Sequence, residues 1–195
     1  PILYIGLSLS DVRPLPEDLD SVMQMGDSIL GFLGGKLFFP DIPSGSDVSL
    51  FYPRERNRCV QEAGLDPACK YIGFVGSFYQ YQGLATLLEA FERLHARRSS
   101  VRLLMVGDGE EATALREQAA QRGLSPWITW TGRVPYAHVP LLIGAMDVCV
   151  APFCGDRGET SPVKIFDYLA CGKPVVASAI PSVAALFSQS NGVVM

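Results

Sequence analysis

Short apolar segments alternate with helical segments along most of this chain, and this alternation limits the folds open to it. The apolar segments are four to six residues long, and Leu84, Leu87, Leu88 and Phe91 then recur at the spacing of a helix. Buried strands joined by helical crossovers are typical of a parallel sheet covered on both faces. The sequence therefore predicts an α/β fold, a Rossmann-like doubly wound parallel sheet, with strands over residues 71–75, 101–106, 128–131, 148–152 and 174–177.

Polar and glycine-containing turns follow several of the predicted strands. Ligands of such sheets bind outside the carboxyl ends of the strands, so these turns are candidates for a binding site. They contain Gly76 and Ser77 after the first strand, Gln82 and Gly83 before the next helix, and Gly132, Arg133 and Val134 after the third strand. The turn at 107–109 lacks the third glycine of a dinucleotide fingerprint, which favours a plain strand-to-helix connection.

The segment 158–176, GETSPVKIFDYLACGKPVV, places two carboxylates around a helix start. Glu159 precedes the predicted helix and Asp167 lies within it, with seven residues between them. The serine-proline pair at 161–162 favours a helix start, and the amino end of a helix suits a phosphate. Taken alone, the two acids favour a plainer interpretation as solvated side chains, with Asp167 paired to Lys164. The surrounding residues favour a binding site instead.

Five blocks, taken in order, resemble the C-terminal half of retaining glycosyltransferases of the two-Rossmann-domain (GT-B) type, group 1, family four. The blocks are IPSGSDVSLFYP, GFVGSFYQYQGLATLLEAF, LLMVGDGEE, WTGRVPYAHVPLLIGAMDVCVAP and the segment 158–176. Five ordered blocks are far more specific than one motif. The resemblance implies transfer of a sugar from a nucleotide-diphosphate sugar to an acceptor hydroxyl with retention of configuration. It also implies no cofactor and no metal, because the nucleotide sugar is a substrate and protein groups stabilise the leaving diphosphate.

The resemblance assigns roles to individual residues. Glu159 would contact the donor sugar as a catalytic residue. Asp167, at the position of the family's second glutamate, would bind the ribose hydroxyls with a side chain one methylene shorter. The diphosphate would lie against Gly76, Ser77, Gln82, Gly83, Thr160, Ser161 and Pro162, and the nucleobase against Gly132, Arg133 and Val134.

Two positions depart from the family pattern. Ser77 stands where the family usually has an arginine, and Gln82 stands where it has a lysine; those two cations normally hold the diphosphate. Their loss removes much of the electrostatic support that a leaving diphosphate needs. We expect Lys164 to act in their place as a second catalytic residue, together with the backbone N–H of Gly76.

The departures keep two other functions open. A non-catalytic module that binds nucleotide sugars would tolerate the neutral Ser77 and Gln82. A sugar-nucleotide epimerase has a similar two-domain layout, although the helix block around Lys164 is not expected in that class. Both stand as alternatives to the glycosyltransferase.

The resemblance also predicts the domain organisation. Residues 1–52 would be the tail of an N-terminal domain and the interdomain segment, and residues 53–195 the donor domain, cut short at its C-terminus. The acceptor, a saccharide or a lipid-linked glycan, would bind the N-terminal domain. We therefore expect the chain alone to bind the donor weakly and not to turn over.

Charge and cysteine content limit the partners and the location. The net charge of −4 argues against nucleic acid as a partner. No apolar run approaches the roughly 20 residues that span a bilayer. The five cysteines show no metal-ligand spacing, and their odd number argues against a disulfide framework. The sequence predicts a cytoplasmic protein, and peripheral contact with the inner face of the membrane is compatible with it.

Overall fold

The computed structural model describes residues 2–5, 46–154, 163–180, 183 and 193–194. The strands of this part of the chain are β1 (Ile2–Ile5), β2 (Lys70–Val75), β3 (Val101–Val106), β4 (Ile128–Gly132), β5 (Val148–Ala151), β6 (Val175–Ser178) and β7 (Val193–Val194). The helices are α1 (Arg56–Glu62), α2 (Leu84–Arg97), α3 (Ala112–Gln121), α4 (Val139–Ala145) and α5 (Val163–Ala170). Short 3-10 turns cover Gln80–Gln82, Ser125–Trp127 and Tyr136–His138.

Five strands form a parallel sheet in the order β4-β3-β2-β5-β6. They are the five strands that the sequence predicts, with bounds that agree within one residue. The predicted Rossmann-like α/β fold is therefore confirmed. Apolar periodicity was sufficient because the inner strands β2, β3 and β5 are largely buried and each crossover is helical.

Helices cover both faces of this sheet. Successive residues of β3 point to opposite faces: Leu104 joins one buried cluster with residues of α4 and α5, and Leu103 joins another with residues of α2 and α3. Since side chains alternate along a strand, the two clusters are the two faces of the sheet. This is the doubly wound arrangement that the sequence predicts.

Strand β1 extends the sheet beyond β6. It pairs antiparallel with β6, from Ile2 opposite Ser178 to Ile5 opposite Val175, and also with β7. The sequence predicts a strand here but assigns it to a preceding domain. Strand propensity is local, whereas the partner of a strand depends on distant residues, so the pairing could not be predicted. The proposed boundary between the tail of the N-terminal domain with the interdomain segment (residues 1–52) and the donor domain (residues 53–195) stays a prediction.

The order of the strands reverses between β2 and β5. From β2 the chain continues to β3 and β4 on one side, and it later returns to β5 and β6 on the other. Ligands of open α/β sheets bind at this topological switch point, outside the carboxyl ends of the strands.

None of the described helices is long and apolar enough to cross a bilayer.

Tyr168 of α5 ties β2 to β5 at the switch point. Its ring is fully buried, and its hydroxyl accepts a hydrogen bond from the N–H of Val75 at 2.9 Å. The hydroxyl also lies 3.5 Å from the carbonyl oxygens of Val75 and Val150. Strands β2 and β5 pair at Ile72–Val148 and Gly73–Cys149, and Tyr168 meets the backbone beyond those pairs.

Replacing Tyr168 with phenylalanine is expected to destabilise the chain by about 1–3 kcal/mol, because the partly buried N–H of Val75 loses its acceptor. Urea unfolding measures this change. Tyr52→Phe is the matched control, since Tyr52 is 46% exposed. Equal stability of the two variants would show that the Tyr168 hydroxyl does not join the strands.

Candidate functional site

Lys164 lies at the switch point, in the first turn of α5. Its Nζ donates a hydrogen bond to Oε1 of Gln82. The same Nζ lies 4.0 Å from the ring centroid of Phe74 and 5.3 Å from that of Phe153. Both rings are within the distance at which an aromatic face attracts a cation. Phe74 belongs to the cluster on the opposite face from α5, so the lysine side chain extends over the carboxyl end of the sheet.

Burial lowers the pKa of the Lys164 ammonium from 10.5 to about 7. Among the described residues, no carboxylate forms an ion pair with this group. A partly buried ammonium with only neutral neighbours is stabilised when an anion arrives. Lys164 is therefore suited to bind an anionic ligand.

Gly76 makes room for the lysine rather than donating a hydrogen bond to a ligand. Its N–H donates to the carbonyl oxygen of Val106 at 3.0 Å, so the sheet uses the N–H that the sequence assigned to phosphate. That expectation is wrong in this detail, because the β2–β3 pairing continues one residue past β2. A Cβ at Gly76 would lie 3.0 Å from Nζ of Lys164. Ser77, the next residue, is exposed.

Gly83 joins the 3-10 turn at Gln80–Gln82 to the segment that follows β5. Its φ is +67°, and a Cβ there would lie 1.8 Å from the carbonyl oxygen of Pro152. The N–H of Cys154 donates to the carbonyl oxygen of Tyr81 at 2.9 Å. The turn is therefore packed directly against the end of β5, next to Lys164.

We expect Gly83→Ala to cost at least about 2 kcal/mol more than Gly123→Ala. Gly123 has nearly the same φ, +68°, but a Cβ there would meet nothing within 4 Å. Both variants bear the penalty of left-handed backbone, about 1–2 kcal/mol, and only Gly83→Ala adds a collision with backbone. Thermal unfolding of the two variants measures the difference. Similar melting temperatures would contradict the close packing of the turn.

Asp167 lies one turn beyond Lys164 on α5 but faces other residues. Its Oδ1 is buried and has no hydrogen-bond partner in the part of the chain that the structure describes. Burial raises the pKa of this carboxyl, and the nearby Ser46 hydroxyl acts in the opposite direction. The Asp167 charge in turn adds to burial in raising the pKa of Tyr136. The plain interpretation of an exposed acid paired with Lys164 is thus wrong.

Tyr136 follows the loop predicted to meet the nucleobase. Gly132 in this loop has φ +66°, and its carbonyl oxygen accepts the N–H of Gly107 at 3.0 Å. Arg133 is exposed and Val134 is half-buried. Since Tyr136 is within electrostatic range of Asp167, the structure brings the predicted base loop and the predicted ribose ligand to the same region.

The structure covers only part of the predicted site. Glu159, Thr160, Ser161 and Pro162 lie outside the described residues. Gly76, Gln82 and Lys164 meet at the end of β2, and Gly83 holds the adjacent turn. Sequence reasoning missed the rings of Phe74 and Phe153. Alternation along β2 could indicate that Phe74 is buried, but no sequence signal indicates that its ring meets Lys164.

The chain belongs to the family described as Glycosyl transferases group 1, whose sequence profile matches residues 69–195. One curated relative is the D-inositol 3-phosphate glycosyltransferase of Segniliparus rotundus, 28% identical over 79% of this chain and 35% of the relative. Another is the phosphatidyl-myo-inositol mannosyltransferase of Mycolicibacterium smegmatis, 33% identical over 71% of this chain and 33% of the relative. The chain thus spans about a third of the length of these relatives.

A solved structure shows the same fold. HepE of Anabaena, determined in complex with UDP-glucose, superposes with a TM-score of 0.62 over 73% of this chain and 39% of HepE, at 22% sequence identity. At this identity the likeness concerns the fold alone. Together with the family match, it confirms the GT-B glycosyltransferase resemblance. The comparisons favour neither the epimerase nor the non-catalytic module.

Proposed function

We propose that this chain is the donor-binding part of a retaining glycosyltransferase that uses a nucleotide-diphosphate sugar. The observation that carries the proposal is the Lys164 ammonium, which lies among neutral groups at the switch point of the sheet. Parallel α/β sheets bind nucleotides at this place. Family membership and the relatives' names support a sugar as the transferred group.

In this mechanism the donor lies along the carboxyl edge of the sheet, and its diphosphate, sugar and ribose contact different residues. Lys164 and the amino end of α5 bind the diphosphate, which leaves with the electron pair of the anomeric carbon–oxygen bond. The oxygen of the acceptor hydroxyl then bonds to the anomeric carbon on the same face, and its proton passes to an oxygen of the departing diphosphate. In this proposal Glu159 contacts the donor sugar, and Asp167 contacts the ribose. Protein groups supply the charge stabilisation, so no metal or cofactor takes part.

The acceptor and the location belong to the complete protein. We propose a saccharide or a lipid-linked glycan as acceptor, bound by an N-terminal domain, because one relative is a phosphatidyl-myo-inositol mannosyltransferase. Such an acceptor suits a cytoplasmic protein that contacts the membrane peripherally.

A transfer assay with the complete protein tests this proposal. UDP-, GDP- and ADP-sugars are supplied with candidate lipid and saccharide acceptors, and the anomeric configuration of the product is determined by NMR. The proposal predicts a product with the configuration of the donor. An inverted product would contradict retention, and an epimerised nucleotide sugar without transfer would favour the epimerase.

Donor binding is expected to weaken as the pH rises through about 7. Lys164 is charged below its pKa and neutral above it. At higher pH a smaller fraction of the protein therefore offers the diphosphate a charged ammonium. Between pH 6.5 and pH 8 the affinity for UDP-glucose should fall on the order of tenfold, because a bound diphosphate favours the protonated lysine. UDP-glucose suits the titration because its diphosphate does not change charge in this range. Lys164→Arg, which stays charged, should flatten the profile, and a flat profile in the unmodified chain would refute the role of Lys164.

A further inference from the structure

Gln82 is a buried polar side chain with a charged partner. It is 6% exposed, and its Oε1 accepts a hydrogen bond from Nζ of Lys164. A buried amide is costly unless it is hydrogen-bonded. Its burial beside the lysine therefore depends on this contact, and Gln82 meets Lys164 rather than solvent.

The neighbours of the Lys164 ammonium fix its position without neutralising it. An ammonium has three N–H donors, and Gln82 takes one of them. The rings of Phe74 and Phe153 attract the charge through their faces but carry no charge themselves. Among the described residues packed against Nζ, namely Phe74, Gly76, Gln82 and Phe153, none is titratable. Within the described residues, nothing else takes the other two donors or neutralises the charge, which remain for a ligand.

The turn that carries Gln82 is itself held in place. Gly83 packs on the carbonyl oxygen of Pro152, and the N–H of Gln82 donates to the carbonyl oxygen of Tyr79 at 2.9 Å. A side chain on a fixed turn restricts its partner, whereas an exposed lysine samples many rotamers. Restricting a ligand-binding group before the ligand arrives increases affinity.

We propose that Gln82 is a positioning residue whose amide oxygen holds the Lys164 ammonium at the end of β2 and leaves its charge available to the diphosphate of the donor. The inference rests on the proposed function, since Lys164 must bind the diphosphate. Gln82 acts through Lys164 and has no direct role in the chemistry. A neutral acceptor is required at this position, because a carboxylate would hold the lysine equally well and neutralise it.

Variants that change the charge at position 82 or position 164 test this role. UDP, GDP and ADP are titrated calorimetrically at one pH into the chain and into variants at both positions, and the pH profiles are recorded with UDP-glucose, whose diphosphate keeps its charge between about pH 6.5 and pH 8. Gln82→Glu keeps the size and the hydrogen bond, and it should weaken binding at least about tenfold because the pair becomes neutral. It should also remove the fall in affinity between about pH 6.5 and pH 8, since a carboxylate keeps the lysine protonated.

The double exchange Gln82→Lys with Lys164→Gln returns an ammonium to nearly the same place. Its affinity should lie within about threefold of the unmodified chain, whereas Lys164→Gln alone should lose on the order of tenfold or more. Gln82→Lys alone places two ammonium groups together and should bind with a still steeper dependence on pH. Circular dichroism monitors folding, and the near-isosteric Gln82→Glu carries the test if the double variant does not fold.

The outcomes separate the inference from the proposed function. If the unmodified chain binds a nucleoside diphosphate and Gln82→Glu binds it equally well with the same pH profile, Gln82 does not position Lys164. If the unmodified chain binds none of the three nucleotides, the proposed function fails before the role of Gln82 is reached.

Discussion

Lys164→Gln is expected to weaken binding of a nucleoside diphosphate to the chain by about 10- to 100-fold. A hydrogen bond to a charged group contributes roughly 1.5–3 kcal/mol, and glutamine cannot supply the positive charge. Ser77 and Gln82 are neutral, so no cation at those two positions takes over. Calorimetric titration with UDP, GDP and ADP measures the loss.

Lys70→Gln is the matched control for this loss. Lys70 lies at the opposite, amino end of β2, where its Nζ pairs with Asp147 at 3.0 Å, and its side chain is 64% exposed. Below about pH 6.5, where Lys164 is mostly protonated, both substitutions remove close to one positive charge, so general electrostatic attraction is similar in the two variants. Equal losses of affinity would contradict a specific role for Lys164.

Glu159→Ala in the complete protein is expected to reduce sugar transfer by about 100- to 1,000-fold while leaving nucleoside diphosphate binding within about threefold. Removing one group that stabilises a developing charge typically has an effect of this size. The proposal places Glu159 against the sugar and not against the diphosphate, so binding of the nucleotide alone should survive. Initial rates with saturating donor, together with the calorimetric affinity for the nucleoside diphosphate, measure the two effects separately.

Glu110→Ala serves as the control for the loss of an acid. Glu110 is an exposed residue in the turn after β3 and has no part in the proposed chemistry. Its transfer rate should match that of the unmodified protein. If Glu159→Ala retains the full rate as well, the glutamate has no role in catalysis. If it loses nucleotide binding to the same extent as transfer, it belongs to the phosphate site instead.

The sequence predicts most of the described fold because the relevant signals are local. The inner strands of the parallel sheet are short, largely buried runs, and each crossover has helical periodicity. Strand β1 shows the limit of such reasoning. Its apolar residues predict a strand, but the antiparallel pairing with β6 joins residues that are far apart in the sequence, such as Ile2 and Ser178. No local pattern contains that information.

The candidate site is predicted less completely for the same reason. The motif around Lys164 predicts that the lysine binds phosphate, and the structure places its ammonium at the switch point of the sheet, where ligands of such sheets bind. The contacts of its ammonium come from three separate segments, at Phe74, Gln82 and Phe153. The hydrogen bond from the Gly76 N–H to the carbonyl oxygen of Val106 likewise depends on how far the β2–β3 pairing extends. Such details follow from tertiary packing and not from residue type.

The central claim is that the carboxyl edge of this sheet binds the diphosphate of a nucleotide sugar. Calorimetric titration of UDP, GDP and ADP into the unmodified chain at about pH 6.5, where Lys164 is charged, tests it most directly. The account predicts that at least one nucleotide binds with a Kd below about 1 mM, which is a binding free energy more favourable than about −4 kcal/mol. Absence of binding by all three at millimolar concentration, in a chain shown to be folded, would contradict the account.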